Sequence, residues 1–481
     1  KNPDVSLASK LGESYRDKNN TEKSIYYYKK SIEQHSSVAG LLVPRFYDNY
    51  DEILKWRENF YNNVNALIEK DLVIKHVIPL KVGFELSYTG HNNSEMLSKL
   101  GRVYSDKFPV LNYTAEHCKP ENLRIGYKRS VERIKVGFIS TNFFNHSVSR
   151  DRMGVIRNLP RNIFDVYTYF YTNPIDEFGQ FIWDCTNHRL LDSTLVNQRQ
   201  IIEDDKLDVL VYCDIGMDNR TYFLAYSRLA PVQITTWGHS DTSGIPTIDY
   251  YFSSNLYDTE NAYQNYSEKL IRMEGLCTYY YKPQYNDSYK KEIVPKDIMA
   301  RYGVDIEGKN VYICPQNLMK LMHPDNMRMM NKILIGDKKG IIIIINNHDM
   351  YAKTSMEIMQ RKYPSIADRV HMIRRDNHLA FTEVLRSADV VLDTYPFGGC
   401  NSSLECFSYG VGVITLPSKM LYGRFTIGFY KRMGIMDLVA ETEGQYIQLV
   451  RRAIYDKDWY KSVQRRILEK SNLLFEDETS V

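Results

Sequence analysis

Apolar positions change their spacing twice along the chain. Over the first hundred or so residues they recur at helical spacing, as at Ile53, Trp56, Phe60 and Val64, which predicts continuous helix over residues 47–105. Further on, short apolar runs alternate with helical stretches. Residues 134–140, 164–171, 207–212, 230–235 and 250–253 read as buried strands, with a helix over 197–203. A polar stretch at 283–296 interrupts the alternation, which then resumes with strands at 311–314, 340–345, 369–373, 390–392 and 411–416. Helices are predicted between them at 324–334, 348–363 and 379–386. Such alternation is the signature of a parallel sheet covered by helices. Two sets in tandem predict an α/β protein with two Rossmann-like halves facing a cleft, where the carboxyl ends of both sheets would bind ligand.

The opening segment carries small residues at Gly12, Ser24 and Ser31 between Leu11, Tyr15, Tyr28 and Ile32, the spacing of a tetratricopeptide helix pair. A lone unit cannot bury its own face, so it either caps further repeats upstream or packs on the helices next in the chain. Pro120, Asn122 and Gly126 mark a connector. The expected domains are therefore residues 1–128, 129–290 and 291–481.

Composition narrows the function. The 481 residues hold 62 Lys+Arg against 59 Asp+Glu, a formal charge of +3, which excludes a strongly basic nucleic-acid binder on bulk charge. The 38 tyrosines are read as compositional bias rather than a stacking surface. Seven cysteines without a C-x-x-C pair suggest neither a zinc site nor a disulfide framework, so a reducing, cytoplasmic setting is expected. No apolar leader comes after Lys1-Asn2-Pro3-Asp4, and the longest apolar run, 340–345, falls short of the ~20 residues that span a bilayer.

Five constellations lie just past predicted strands. Past the first strand, His146 in Asn145-His146-Ser147 could accept a proton or simply cap a helix. Asp214, in Cys213-Asp214-Ile215-Gly216, could be a base, a sugar ligand or an Asx-turn residue. His239, between Gly238 and Gly244, is a second candidate for proton acceptance or sugar contact. Lys320, beyond Cys314-Pro315-Gln316-Asn317, suits a diphosphate as a compact charge beside oriented dipoles. The fullest pattern joins a strand to a helix through Gly398-Gly399-Cys400-Asn401-Ser402-Ser403-Leu404-Glu405. Amides of Asn401, Ser402 and Ser403 would meet a pyrophosphate at the helix start, and Glu405 would bind a ribose diol. Arg424 could add charge near the phosphates or tie the halves together. No G-x-G-x-x-G or Walker sequence is present, which disfavours hydride transfer and ATP hydrolysis.

Arg228-Leu229-Ala230-Pro231-Val232-Gln233, Gly238 with Thr242-Ser243-Gly244, and the run from Leu392-Asp393-Thr394 to Glu405 resemble the O-GlcNAc transferase and SPINDLY family of TPR-linked glycosyltransferases. Asp214 to Asp218 and Cys314-Pro315-Gln316 resemble its bacterial members most. The resemblance implies a GT-B fold with an acceptor-side first half and a nucleotide-sugar second half. It implies inverting, metal-independent transfer of GlcNAc from UDP-GlcNAc to a Ser or Thr hydroxyl of a protein or peptide, with no cofactor and no metal. By position it makes His146 the proposed base and Lys320 the diphosphate contact, with Gln316 in the same pocket. Asn401 and Ser402 take the place of a phosphate-binding Thr-Thr, and Glu405 that of the acid on the ribose.

This chain departs from the family pattern. Cys400 replaces a histidine associated with the donor, and Phe381, with His378 close by, stands where a histidine would flank the base. Other readings therefore stay open: UDP-Glc or GDP-Fuc as donor, a glycan or small-molecule acceptor, or a degenerate scaffold whose helical segment binds a partner or another subunit. No nucleic-acid partner and no membrane span are expected.

Overall fold

The computed structural model describes residues 3–31, 38–75, 83–122, 133–283, 293–346, 349–374 and 376–481. Ile32, Gly126, most of the polar stretch, the start of the 348–363 helix and both expected domain boundaries lie outside the described residues.

Helices α1 (Pro3–Asp17) and α2 (Thr21–Ser31) pack closely. A methyl on Gly12 would sit 2.9 Å from the Tyr28 ring, and the Ser24 hydroxyl donates to the Gly12 carbonyl at 2.7 Å. Small residues thus bring the two backbones together, as their spacing predicts. The continuous helix expected over 47–105 is instead two helices, α3 (Tyr50–Glu69) and α4 (Ser94–Lys107), around a short 3₁₀ turn, Phe84–Thr89. Helix α3 stops where Lys70 turns extended (φ −71°, ψ 134°), and Gly83 (φ 86°) and Gly90 (φ 80°) hold the two ends of the 3₁₀ turn in the left-handed region.

The first Rossmann half is a seven-stranded parallel sheet. Its strands are β1 (Ile134–Ile139), β2 (Phe164–Phe170), β3 (Asn187–Leu190), β4 (Val209–Tyr212), β5 (Val232–Thr235), β6 (Tyr250–Ser254) and β7 (Lys269–Met273), in the order β3-β2-β1-β4-β5-β6-β7. The second is five-stranded and parallel: β8 (Asn310–Cys314), β9 (Gly340–Asn346), β10 (Val370–Arg374), β11 (Val390–Leu392) and β12 (Val413–Ile414), in the order β10-β9-β8-β11-β12. Ile341 to Ile345 are all buried, as expected of a central strand covered on both faces.

The helical segment is locked to the first half. A Cβ on Gly101 of α4 would fall 1.8 Å from the Gly244 carbonyl, so only glycine permits this approach. Residues 113–114 pair in parallel with 227–228. The chain's last residues return to the first half, where Glu476 N donates to the Tyr280 carbonyl and Asp477 accepts from Leu276 N. Among the described residues, no helix is long and apolar enough to cross a membrane.

Candidate active site

In each sheet the strand order reverses at one point, β1/β4 in the first and β8/β11 in the second, and the loops leaving these four strands converge. They line a cavity of about 710 Å³ between the halves.

The loop after β8 starts helix α5 (Leu318–Leu321), capped by Asn317, whose Oδ1 accepts from Lys320 N at 3.0 Å. This turns the Lys320 side chain toward the opposite loop, where Nζ donates to the Gly398 carbonyl at 2.7 Å and to Gln316 Oε1 at 3.1 Å. Nζ also lies 4.3 Å from the Phe397 ring centre. Burial pushes the Lys320 ammonium down to about 8, opposed by the charge of Asp393. Gln316 Nε2 in turn donates to Ser402 Oγ at 2.6 Å.

Asp393, buried at the end of β11, builds the glycine loop. Its Oδ1 accepts from Gly399 N at 2.7 Å and Thr394 N at 3.0 Å, and its Oδ2 from the Thr415 and Thr426 hydroxyls, both at 2.8 Å. Helix α7 (Asn401–Ser408) comes after the loop. The Ser403 amide donates to the Cys400 carbonyl and its hydroxyl pairs with Thr426, so Ser403 shapes the loop and does not face the cavity. Gly399 likewise commits its amide to Asp393. The amides of Asn401 and Ser402 make no such bond among the described residues, which leaves two of the three expected helix-start donors. Asn401, Ser402 and Cys400 all line the cavity. Burial raises the Cys400 thiol well above its ordinary value, so it is a neutral wall.

Glu405 lies one turn along α7 at the cavity and is already engaged. Its Oε1 accepts from Arg150 at 3.3 Å and Tyr280 OH at 3.4 Å, and His378 Nε2 is 3.3 Å from its Oε2. Phe381, on α6 (His378–Arg386), lines the cavity, whereas His378 stands off it and meets the lining residue Glu405. Arg424 is a correction to the sequence reading: it lies off the cavity and donates to the carbonyls of Tyr257 and Ser418, bridging the halves.

Three groups were candidates for proton acceptance. Asp214 is wholly buried and off the cavity. Its Oδ2 accepts from the Ser140 and Thr141 hydroxyls, Thr141 N and Asn142 Nδ2 at 2.7–3.0 Å, so it holds the β1 loop in place and cannot reach a substrate. His146 lines the cavity and also caps helix α8 (Ser147–Asn158), its Nδ1 accepting from Val148 N at 3.2 Å. Burial lowers its pKa, favouring the neutral ring. His239 also lines the cavity, its Nε2 2.9 Å from Ser87 Oγ and its ring stacked on Phe84 at 4.6 Å.

Sequence reasoning missed Arg150, one turn beyond His146, and the wall supplied by the helical segment. Phe84 and Tyr88 both line the cavity, and Tyr88, Phe397 and Tyr422 form a stack with neighbouring centroids 4.9 Å apart. Arg150 could have been found from helical spacing, but Tyr88 meets Phe397 only through tertiary packing. Among the described residues no group of three His, Cys, Asp or Glu side chains is set to hold a metal ion.

The sequence profile of glycosyl transferase family 41 matches residues 106–284 and 274–478. SPINDLY of Hordeum vulgare, described as a probable UDP-N-acetylglucosamine–peptide N-acetylglucosaminyltransferase, is 21% identical over 387 residues, covering 76% of this chain and 38% of that protein. A UDP-glucose:protein N-beta-glucosyltransferase of Actinobacillus pleuropneumoniae is 20% identical over 62% of this chain and 47% of its own length. This chain therefore spans less than half of these relatives. A mutant of the O-GlcNAc transferase of Thermobaculum terrenum superposes with a TM-score of 0.69 at 16% identity, covering 99% of this chain and 94% of that one, which shows the same GT-B fold.

Proposed function

The chain belongs to glycosyl transferase family 41, and from that premise we propose that it transfers a sugar, GlcNAc from UDP-GlcNAc, to a Ser or Thr hydroxyl of a protein. The carrying observation is the cradle in which Lys320, bonded to Gln316 and to the Gly398 carbonyl, adjoins the open amides of Asn401 and Ser402. An ammonium and a helix start together favour a diphosphate. Relatives named for UDP-sugar donors and peptide or protein acceptors support the class.

Transfer is a single displacement with inversion and needs no metal. The acceptor oxygen attacks the anomeric carbon while the bond to the β-phosphate breaks and its electron pair leaves on the diphosphate. Lys320 and the two amides are fixed in advance where that charge grows, which lowers the barrier more than a group that must reorganise. Phe381 offers the base a flat apolar face, and Glu405 the ribose diol an acceptor once its partners yield. The helical segment, through Phe84 and Tyr88, closes the wall past which a peptide would enter.

The test is calorimetry with UDP, GDP, UDP-GlcNAc, UDP-Glc and GDP-Fuc. UDP-GlcNAc and UDP should bind, and Lys320→Ala should lose most of the UDP affinity. Equal UDP binding by Lys320→Ala would remove the diphosphate from this loop.

A further inference from the structure

Hydrogen-bond polarity separates the two cavity histidines. His146 receives the Val148 amide proton at Nδ1, so in its neutral ring the proton sits on Nε2. That ring presents a donor to the cavity, the wrong polarity for a base.

His239 is set the other way. Arg57 can only donate, and it gives hydrogen bonds to Asn93 Oδ1 at 2.6 Å and Thr89 Oγ1 at 2.8 Å. The Asn93 amide must therefore turn its NH₂ outward, and it donates to Asp241 Oδ2 at 2.6 Å. The fully buried Ser87 donates its single hydroxyl proton to the same oxygen at 2.7 Å. Having no second proton, Ser87 can only accept from His239 Nε2 at 2.9 Å. The chain of donors fixes the proton on Nε2 and makes Nδ1 the basic nitrogen. Phe84 stacks on one side of the ring, and Gly216 (φ 90°) fits against it where a Cβ would lie 3.0 Å from Cδ2. Burial raises Asp241 only to about 6, so at neutral pH it is the carboxylate this chain requires.

We propose that His239, held in its Nε2–H form by Ser87 and Asp241, takes the proton from the acceptor hydroxyl, while His146 serves the site as a hydrogen-bond donor. The assignment rests on the glycosyl transfer proposed above. The acceptor O–H bond breaks, its proton passes to His239 Nδ1, and the oxygen's electron pair forms the new bond to the anomeric carbon. The bond to the leaving phosphate breaks in the same displacement. The imidazolium's Nε2–H remains directed, through Ser87, at the Asp241 carboxylate, whose charge steadies it, the logic of any nucleophile–base–acid array. Ser87 and Asp241 are positioning residues, and Ser87 comes from the helical segment, outside both sheets.

The test reads the tautomer directly in the unliganded protein. In ¹⁵N-histidine-labelled protein, with the His239 signal assigned by its loss in His239→Gln, the ring should be Nε2–H in the wild type. It should become a tautomer mixture in Ser87→Ala and in Asp241→Asn, with the other histidine signals unmoved. Hydrolysis of UDP-GlcNAc, with water as acceptor, should fall ~10²–10⁴-fold in kcat for His239→Gln, the scale of general-base loss. It should fall less in the two positioning variants, with UDP affinity unchanged in all three. A wild-type Nδ1–H ring, or normal kcat in His239→Gln, overturns the assignment. Failure of UDP and UDP-GlcNAc to bind the wild type would count against the proposed function instead, and the tautomer measurement would still decide this one.

Discussion

Arg150 Nη1 lies 3.3 Å from Glu405 Oε1, joining the first helix after β1 to the helix that starts at the glycine loop of the other sheet. The pair spans the cleft, and both side chains are largely withdrawn from water, 16% and 7% exposed. Tyr280 shares the same oxygen, and Asn401 Nδ2 reaches the Ser147 carbonyl beside it at 3.2 Å. This is a seam between the two halves at the place where a ribose would enter. If Glu405 binds the ribose as proposed, a diol and the guanidinium would compete for one carboxylate. Arg150→Gln should therefore strengthen UDP binding several-fold, whereas Glu405→Gln should weaken it about tenfold, the scale of one charge-assisted hydrogen bond. Calorimetry distinguishes the two directions, and weaker binding in Arg150→Gln would place the guanidinium on the ligand instead.

Lys320 should be the largest single contributor to charge stabilisation. Lys320→Ala is expected to lower turnover ~10²–10³-fold, as for loss of one preorganised donor to a developing anion. Its depressed pKa gives a second signature. From about 8 up to the ordinary 10.5 the folded chain holds fewer protons on this group than the unfolded chain, so its contribution to stability improves as pH rises through that window. UDP affinity should move the opposite way, falling above pH 8, because the diphosphate needs the ammonium. Near that pH, binding should take up a proton, visible as a buffer-dependent heat that disappears in Lys320→Ala.

The alternation of strands and helices was readable because both sheets are parallel and covered, so their central strands are nearly continuous apolar runs. Within the two large sheets, the strands left unread, β3 and β7, lie at the edges of the first. Asn187-His188-Arg189-Leu190 and Lys269-Leu270-Ile271-Arg272-Met273 carry polar residues on partly exposed faces. Of the site, Lys320, Gln316, Asn401, Ser402 and Glu405 were legible because they sit in the loops after strands or in the first turns of the helices those loops open, where chemistry collects by topology. Arg424 and Asp214 share that placement but point elsewhere, one into the seam between halves and the other under the β1 loop. Local sequence does not set direction. Ser87 and Phe84 were hidden for a different reason: more than 150 residues separate Ser87 from His239, and the turn bearing it lies in a stretch whose apolar spacing reads as helix.

The bond between helical segment and catalytic half can be tested at Gly101. Its Cβ would overlap the Gly244 carbonyl, a backbone atom that cannot swing aside. Gly101→Ala should destabilise the protein by about 3 kcal/mol, the upper range for overpacking. It should also raise amide exchange in α4 and the 238–244 loop together, since Asp241 and Asn93 are tied across the same contact. Gly336→Ala is the control, because a methyl there meets nothing within 4 Å. Unchanged exchange in the loop would mean that the helical segment yields alone.

On the proposed reading, Phe381 would hold the base. It is 7% exposed, lines the cavity from α6, and is anchored by Asn377, which caps that helix by accepting from Ala380 N at 2.9 Å. A phenyl face stacks on any base without reading its edge, so on that reading this position would supply affinity and little discrimination. Phe381→Ala should weaken UDP and GDP by similar factors, about 1–3 kcal/mol each for a lost base–aromatic stack. Phe381→His should restore binding in part, since its ring is also flat. If the alanine variant lost one nucleotide selectively, the ring would be shaping an edge-reading pocket and the stacking geometry would be wrong. If it lost neither, the base would sit elsewhere along the cavity, and Asn346, at the carboxyl end of β9, would be the next position to vary.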